Sequence, residues 1–415
     1  MTQPWPEEAD FLQRVRAHPD DDAPRLVFAD YLDERGDPRG AFIRLQCALA
    51  SLPAEDADRH ELSQREQALR DQYESEWAQP LQGLVSGWEF RRGVLDSVSL
   101  SGQAFLEHGA EVLRRAPVRR VRLFDAAEWL GRIAQLPHFA HIRELDLCGN
   151  DLGNGGINVL TRSPHLAALE HLDVSFNELS DLAVQVLAKA NNFRALRSLQ
   201  LSDNGRIGSA GVAALAGSRH FATLTALDLS SNDLDDAAVR ALVQSEYLDR
   251  LSALHLHANH IGDAGLASLA PSALLARMAF RSPKLDLREN AIGPAGVGAL
   301  ADSPHLRRVE NLDLAGNFVG DDGVERLVNS PHLERLTTLN LRQNRLSDEA
   351  AAILAESPRL NQLLWIDLSA NTLTGTGVEI IRASPHFNWR TVVDVNADPA
   401  MMPRAFRPRR RSPRR

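Results

Sequence analysis

The sequence predicts an α/β solenoid, a stack of strand-plus-helix units with parallel strands on a concave inner face and helices on the convex outer face. Three observations predict it. Nine asparagines, Asn150, Asn177, Asn204, Asn232, Asn259, Asn290, Asn317, Asn344 and Asn371, each close the pattern L-x-L-x-x-N, with Val174 and Ile366 each standing for a leucine. The steps between them are 27, 27, 28, 27, 31, 27, 27 and 27 residues, a regularity that a single packed globule has no reason to keep. After each asparagine come apolar residues at helical spacing, and most units then stop at a short Ser-Pro or similar turn.

Each element of the unit has a physical reason. Leucines two apart, such as Leu227 and Leu229, point to one side of a short strand and bury there, while Asp228 between them points to the other face. The asparagine ends the strand, where its short amide reaches backbone groups of the adjoining turns that would otherwise be buried unpaired. Leu266 and Leu269, three apart in Asp263–Ala270, mark one face of a helix. Ser-Pro at 163–164, 303–304, 330–331, 357–358 and 384–385 stops the helix, since proline disfavours helix for the residue before it. One strand and one helix cannot bury both apolar faces alone, so the units must stack.

This is the pattern of a leucine-rich repeat, and the 27-residue, helix-bearing unit with D-x-G-V resembles the ribonuclease-inhibitor type. The resemblance covers about two-thirds of the chain. It implies an arc or horseshoe with strands inside. For function it implies only a range, since that subtype includes inhibitors, GTPase-activating proteins and plain scaffolds.

The array is expected to begin before Asn150 with two degenerate repeats. Val98-Ser99-Leu100 and Val121-Arg122-Leu123 keep the strand rhythm, with Gln103 and Ala126 in the asparagine slots. At the far end, Val393-Asp394-Val395 falls one period after Ile366-Asp367-Leu368 and reads as a closing strand. The solenoid is thus placed at residues 81–400.

Residues 1–80 follow different rules. Phe11, Leu12 and Val15, then Leu26, Val27, Ala29, Tyr31 and Leu32, then Phe42, Ile43, Leu45, Leu49 and Leu52 mark three short helices, broken at His18-Pro19 and Gly36-Asp37-Pro38. A longer polar helix from about Asp58 to Trp77 follows. The stretch from Asp20 to Gly40, Phe42-Ile43-Arg44-Leu45-Gln46, and Trp88-Glu89-Phe90-Arg91-Arg92-Gly93 before Ala116-Pro117-Val118-Arg119-Arg120 resemble the bacterial repeat-companion domain. That resemblance implies co-occurrence with repeats and no activity. The region reads as a helical cap.

The chain carries −9, but residues 404–415 hold seven arginines and no acid, so subtracting this +7 leaves −16 on the rest. Residues 401–415 are expected to be a disordered Arg-rich tail. Arg409, Arg410, Arg411, Arg414 and Arg415 are candidates for polyanion contact, against the plainer reading of a solvated terminus. The acidic opening residues have no apolar run of a secretory signal, and no stretch approaches a membrane span. With Cys47 and Cys148 far apart, free thiols and a cytoplasmic address are expected.

The period identifies the concave face. Between the paired leucines stand Asp146, Asp173, Gln200, Asp228, His255, Asp286, Asp313, Asn340 and Asp367. Six are aspartates on rungs roughly 5 Å apart, which reads either as local hydrogen bonding within an L-D-L consensus or as a surface for a basic partner. Two residues on stand Cys148, Ser175, Ser202, Ser230, His257, Arg288, Ala315, Arg342 and Ser369, and variation on a constant scaffold is where specificity is placed. Candidate partner-binding residues are therefore Asp173, Phe176, Asp228, His255, His257, Asp286, Arg288, Asp313, Arg342 and Trp365.

Catalytic motifs are absent: there is no phosphate-cradling loop, nucleophile elbow, H-E-x-x-H or C-x-x-C. His255, His257 and His260 lie close together but no cysteine completes a ligand set, so neither metal nor cofactor is expected. The expected function is a non-catalytic intracellular scaffold that binds a protein partner on the concave face. The alternatives are an inhibitor or regulator of an enzyme such as a nuclease or GTPase, and polyanion binding through the tail.

Overall fold

A computed structural model describes residues 8–53, 56–387 and 391–395. The chain forms two compact units, residues 1–152 with 162–173, and residues 153–161 with 174–415.

The first unit opens with four helices, α1 (Glu8–Ala17), α2 (Ala23–Asp33), α3 (Arg39–Ser51) and α4 (Arg59–Trp77). Phe28, Ala29, Leu32, Ile43 and Cys47 form their core, with Phe11, Leu12 and Tyr31 packed against it. The longest, α4, buries no residue fully. It is held through Trp77, whose ring lies 4.8 Å from that of Phe42 and 6.2 Å from that of Phe90. Phe90 belongs to β1 (Gly87–Arg91), which pairs antiparallel with β2 (Val94–Ser101). Arg92 and Gly93 between them both have positive φ, 49° and 84°, the conformation that a tight two-residue hairpin demands.

After β2 the chain changes to the repeat rule. β2, α5 (Gly102–Arg115), β3 (Arg120–Phe124), α6 (Leu130–Ile133), β4 (Glu144–Asp146) and β5 (His171–Asp173) follow. β2 to β5 pair in parallel, with Val98, Val121, Leu145 and Leu172 in one register row. Crossover helices are what a parallel pair requires.

The second unit contains α7 (Gly153–Thr161), α8 (Asp181–Lys189), β6 (Ser198–Gln200), α9 (Ser209–Ala216), β7 (Ala226–Asp228), α10 (Asp236–Val243), β8 (Ala253–His255) and α11 (Asp263–Leu269). It continues with α12 (Ala273–Arg281), β9 (Lys284–Asp286), α13 (Pro294–Ala301), β10 (Asn311–Asp313), α14 (Gly320–Val328), β11 (Thr338–Asn340), α15 (Asp348–Glu356), β12 (Trp365–Asp367), α16 (Gly375–Arg382) and β13 (Val392–Asp394). β6 to β8 and β9 to β13 form parallel rows in sequence order. The four extra residues of the Asn259–Asn290 step turn the return segment into α12, capped by the Ser272 hydroxyl, which accepts from the Leu275 N–H at 3.1 Å.

Three polar ladders hold the rungs in register. In the first, the Asn204 amide donates to Val174 O (3.3 Å), Leu201 O (2.8 Å) and Ser202 O (3.2 Å), while its oxygen accepts from Asn177 N and Leu179 N, both at 3.0 Å. Asn150, Asn232, Asn259, Asn290, Asn317, Asn344 and Asn371 repeat this bridging to the preceding rung. In the second, the acid at a helix start accepts from the backbone of the next rung: Asp181 from Gly208 and Gly211, Asp236 from Gly262, and Asp263 from Gly293 and Gly296, at 2.7–2.9 Å. In the third, the turn serine donates to a carbonyl of the preceding repeat, as in Ser163 to Ala134 O (2.6 Å), Ser245 to Ala216 O (2.6 Å) and Ser330 to Ala301 O (2.5 Å).

The residue before each asparagine is left-handed at all nine repeats. Gly149 and Gly316 take this conformation freely, but Phe176, Asp203, Ser231, Ala258, Glu289, Gln343 and Ala370 adopt it at φ of 54–57°, a conformation that costs an L-residue roughly 1–2 kcal/mol. The asparagine hydrogen bonds and stacked leucines of the adjoining strand offset that cost.

Two stability predictions arise here. Asn232→Leu removes bonds to Leu201 O, Leu229 O, Ser230 O and Gly205 N, and is expected to destabilise by roughly 1–3 kcal/mol. An unchanged urea midpoint refutes this account of the ladder. Gly265→Ala is expected to cost a similar amount, about 1–3 kcal/mol, because its Cβ would stand 2.5 Å from Asp236 Oδ1 and 2.8 Å from Ile261 Cγ2. Thermal melts of Gly265→Ala and of Gly155→Ala, a glycine within α7 whose Cβ meets nothing within 4 Å, separate crowding from helix propensity.

Candidate partner-binding surface

The side chains that point away from the helices form the open face of each sheet row. On the first unit these come from β3, β4 and β5. Arg120 reaches Glu144 at 2.9 Å and the buried Asp96 at 3.3 Å, and Arg122 reaches Asp146 at 3.5 Å. Burial still holds the Asp146 carboxyl above its ordinary range. Asp96, Glu144 and Asp146 thus face two arginines supplied by β3. Asp173, on β5, is half-buried.

On the second unit the third strand position carries Gln200, Asp228, His255, Asp286, Asp313, Asn340, Asp367 and Asp394. Several of these serve the strand's own turn. Asp228, Asp286, Asp313, Asn340 and Asp367 each accept from the backbone N–H two residues on, at 2.8–3.4 Å. This local bond favours an acid or amide at that position whatever else binds there.

β8, β9 and β10 bring several of the candidate residues together. Arg288 lies 3.3 Å from Asp286 and 3.9 Å from Asp313, and Lys284 lies 3.3 Å from Asp286. On the neighbouring rung His255 is exposed, while His257 is half-buried with its pKa lowered by burial. His260 points elsewhere, to Asp233 at 3.3 Å. Among the described residues no group of three or more His, Cys, Asp or Glu side chains is arranged to hold a metal ion.

The remaining candidates sit apart from this cluster. Arg342 donates to Ser369 Oγ at 3.0 Å on the far rungs. Phe176 is on the left-handed turn after β5, outside the strand columns, and is half-buried. Asp313 and Trp365 are 1% and 3% exposed, so both are inaccessible in this conformation. Arg409, Arg410, Arg411, Arg414 and Arg415 lie outside the described residues.

Six segments, residues 165–188, 194–216, 222–243, 251–270, 284–301 and 332–355, match the leucine-rich repeat family. The chain carries leucine-rich repeats. None of the curated proteins matches it. Among solved structures, the repeat chain is similar to an internalin from Listeria monocytogenes, at 16% identity over 73% of this chain and 87% of that one, with a TM-score of 0.37. It is also similar to a chain in the Rad7 and Elc1 complex from yeast, at 15% identity over 97% and 96% of the two chains, with a TM-score of 0.45. No helix among the described residues is long and apolar enough to cross a membrane.

Sequence reasoning missed two features of the repeat surface. Phe280, on α12, is 78% exposed beneath the Arg308 guanidinium, 5.3 Å from its ring centroid; the 31-residue step was its only signal. In the first unit, Arg16, Arg114, Arg119, Arg143, His138 and His141 help line a cleft of about 480 Å³. Its charges are already employed: Arg16 donates to Leu113 O, Arg114 O and Ala116 O at the end of α5, Arg119 pairs with Asp96, and Arg143 donates to Ala140 O.

Burial, with Asp286 alongside, pushes the Asp313 carboxyl up to about 6. The folded state thus holds this proton to higher pH than the unfolded chain, whose Asp titrates near 3.9. The proton's stabilising contribution is present below about pH 4 and is lost as pH rises through about 6. Asp313→Asn is therefore expected to increase the unfolding free energy from urea melts at pH 7.5 by on the order of 1–3 kcal/mol, with the gain fading towards pH 4. An effect of the same size at both pH values refutes the titration account.

Proposed function

We propose that this chain is a non-catalytic protein-interaction scaffold, and that its open sheet face around β7 to β9 binds a folded protein or peptide with a basic surface. The observation that carries the reading is the contiguous accessible cluster of Asp228, His255, His257, Asp286 and Arg288. It combines acids that attract a basic partner at long range with an arginine of the kind enriched at binding hot spots. Stacked repeats characteristically use such extended surfaces. The alternation of a fixed skeleton with varied outward residues is consistent with it.

We further assign the array to the ribonuclease-inhibitor-like subtype on its 27-residue helical unit, and residues 1–80 to a repeat-companion cap that precedes a solenoid at 81–400 and a tail at 401–415. The four-helix start and its packing on Phe90 support the cap reading. An intracellular setting is supported by two free cysteines, Cys47 being buried with its thiol pushed up to about 12, chiefly by burial.

Affinity purification with mass spectrometry identifies the partner, and a surface-based kinetic assay then tests the face. Asp228→Asn with Asp286→Asn is expected to slow association and flatten its salt dependence, because these acids steer encounter. Arg288→Ala is expected to speed dissociation by about tenfold, equivalent to about 1.4 kcal/mol. If these variants bind as the parent does while changes in residues 8–77 abolish binding, the assignment to the sheet face is wrong.

A further inference from the structure

The cleft of about 480 Å³ in the first unit has a one-sided charge. α1 supplies Arg16, α5 supplies Arg114, and Arg119 and Arg143 stand just before β3 and β4. Pro19, Leu113 and Val118 add apolar surface, and none of the described lining residues is acidic. In a chain of net charge −9, four arginines gathered around one cleft without an acid need a reason.

The bonds that hold these side chains fix their positions without cancelling their charge. Arg16 donates from Nη2 alone to the carbonyls at the end of α5, and Arg143 from Nη1 alone to Ala140 O and Ile142 O. Carbonyls are neutral acceptors, and the end of α5 offers Arg16 only roughly half an elementary charge. Among the described residues neither guanidinium is ion-paired with a carboxylate, whereas Arg119 has Asp96 at 3.2 Å and Arg114 has Glu111 at 3.8 Å. Partial burial lowers the Arg16 guanidinium from its ordinary range, as expected of a cation that has lost water without gaining an anion. Donors are also left in reserve. Arg16 and Arg143 each keep Nε and one Nη without a bond among the described residues, and Arg119 spends only Nε, on Asp96. Stapling α1 to α5 explains Arg16 by itself, but it does not explain why Arg143, Arg119 and Arg114 line the same space.

We propose that this cleft binds a small organic phosphate, with the phosphoryl group held by Arg16 and Arg143 and the organic part against Pro19, Leu113 and Val118. Charge, geometry and size favour that class. Two guanidiniums without acids match the charge of about −1.5 to −2 that a phosphomonoester carries near neutral pH, and a single carboxylate leaves half of theirs unmatched. Planar forks with several N–H groups suit a group with three acceptor oxygens. The volume lies within the roughly 300–1,000 Å³ of small-molecule sites, which combine apolar walls with a few polar anchors in this way. None of these residues belongs to β7 to β9, so the proposal stands whether or not a partner binds there.

Calorimetric titration of the full chain with phenyl phosphate, phenyl sulfate, inorganic phosphate and decathymidylate without a terminal phosphate tests this. Phenyl phosphate is expected to bind saturably, more weakly at high salt. It should bind about tenfold more tightly than phenyl sulfate, which has the same shape and less charge, and more tightly than inorganic phosphate, which lacks the apolar part. Arg143→Gln is expected to lower the affinity about tenfold, and Arg16→Gln likewise. Because Arg16→Gln also loosens α1 from α5, the decisive companion is Arg114→Gln, whose side chain is 74% exposed and holds no helix end. It is expected to bind severalfold more weakly with an unchanged thermal melt, while Arg132→Gln, on α6 outside the cleft, binds as the parent does. Absence of saturable binding overturns the proposal, as does equal affinity for phenyl sulfate. So do folded Arg143→Gln and Arg114→Gln chains that bind phenyl phosphate as the parent does. Decathymidylate binding that is tighter than that of phenyl phosphate and is weakened by Arg143→Gln also overturns it, because the cleft then serves a polymer.

Discussion

The repeat structure depends on one requirement: backbone groups at the end of each strand, enclosed between stacked rungs, must find partners without water. A rung is only three residues of strand, too short for its own ladder to satisfy the turn that follows. The asparagine meets this need with one amide, donating to carbonyls of its own and the preceding rung while accepting N–H groups from the preceding turn. An unpaired buried polar group costs more than a typical hydrogen bond contributes, so the side chain is fixed while its surroundings vary. The same requirement explains the left-handed residue before it, tolerated as Phe, Ala or Gln at a cost the ladder offsets.

The aspartate and serine ladders extend this solution to the other two corners of the unit. Asp263 accepts from two N–H groups at the start of the next helix, where anionic charge is favoured by the helix dipole. Ser330 satisfies a carbonyl at the end of the preceding one, where the helix has run out of internal donors. The glycine of D-x-G allows the neighbouring carboxylate to approach that closely. With all three corners fixed by short polar side chains, the unit length stays close to 27 residues. The Asn204–Asn232 step adds a single residue, and the 31-residue step inserts its extra chain in α12, away from the corners.

Once the frame is fixed, the open face is the part free to vary, and its chemistry divides by environment. Where access remains, around β7 to β9, acids, imidazoles and Arg288 sit side by side. Where it is lost, the same residue type behaves differently, and Asp313 holds its proton to about pH 6 because burial and Asp286 both oppose its charge. Position in the repeat therefore does not by itself assign a role to an outward aspartate. Its hydrogen bond to the backbone two residues on serves the strand in either setting.

The sequence by itself determined the unit, its period, the inward leucines, the asparagine ladder, and the helices at the start of the chain, because each rests on local spacing repeated often enough to be read. It also placed Asp286, Arg288 and Asp313 on one face, since strand alternation and a constant period put corresponding residues side by side. What it left open were properties of pairs distant in sequence. These are the bond from Asp181 to Gly211, the closeness of Gly265 to Asp236, the antiparallel hairpin around Arg92 and Gly93, and the accessibility of each outward residue. Trp365 and Asp313 read as surface in a periodic pattern, but whether a strand face is wet or covered depends on what lies over it. That is decided by the path of the whole chain, which a local period does not contain.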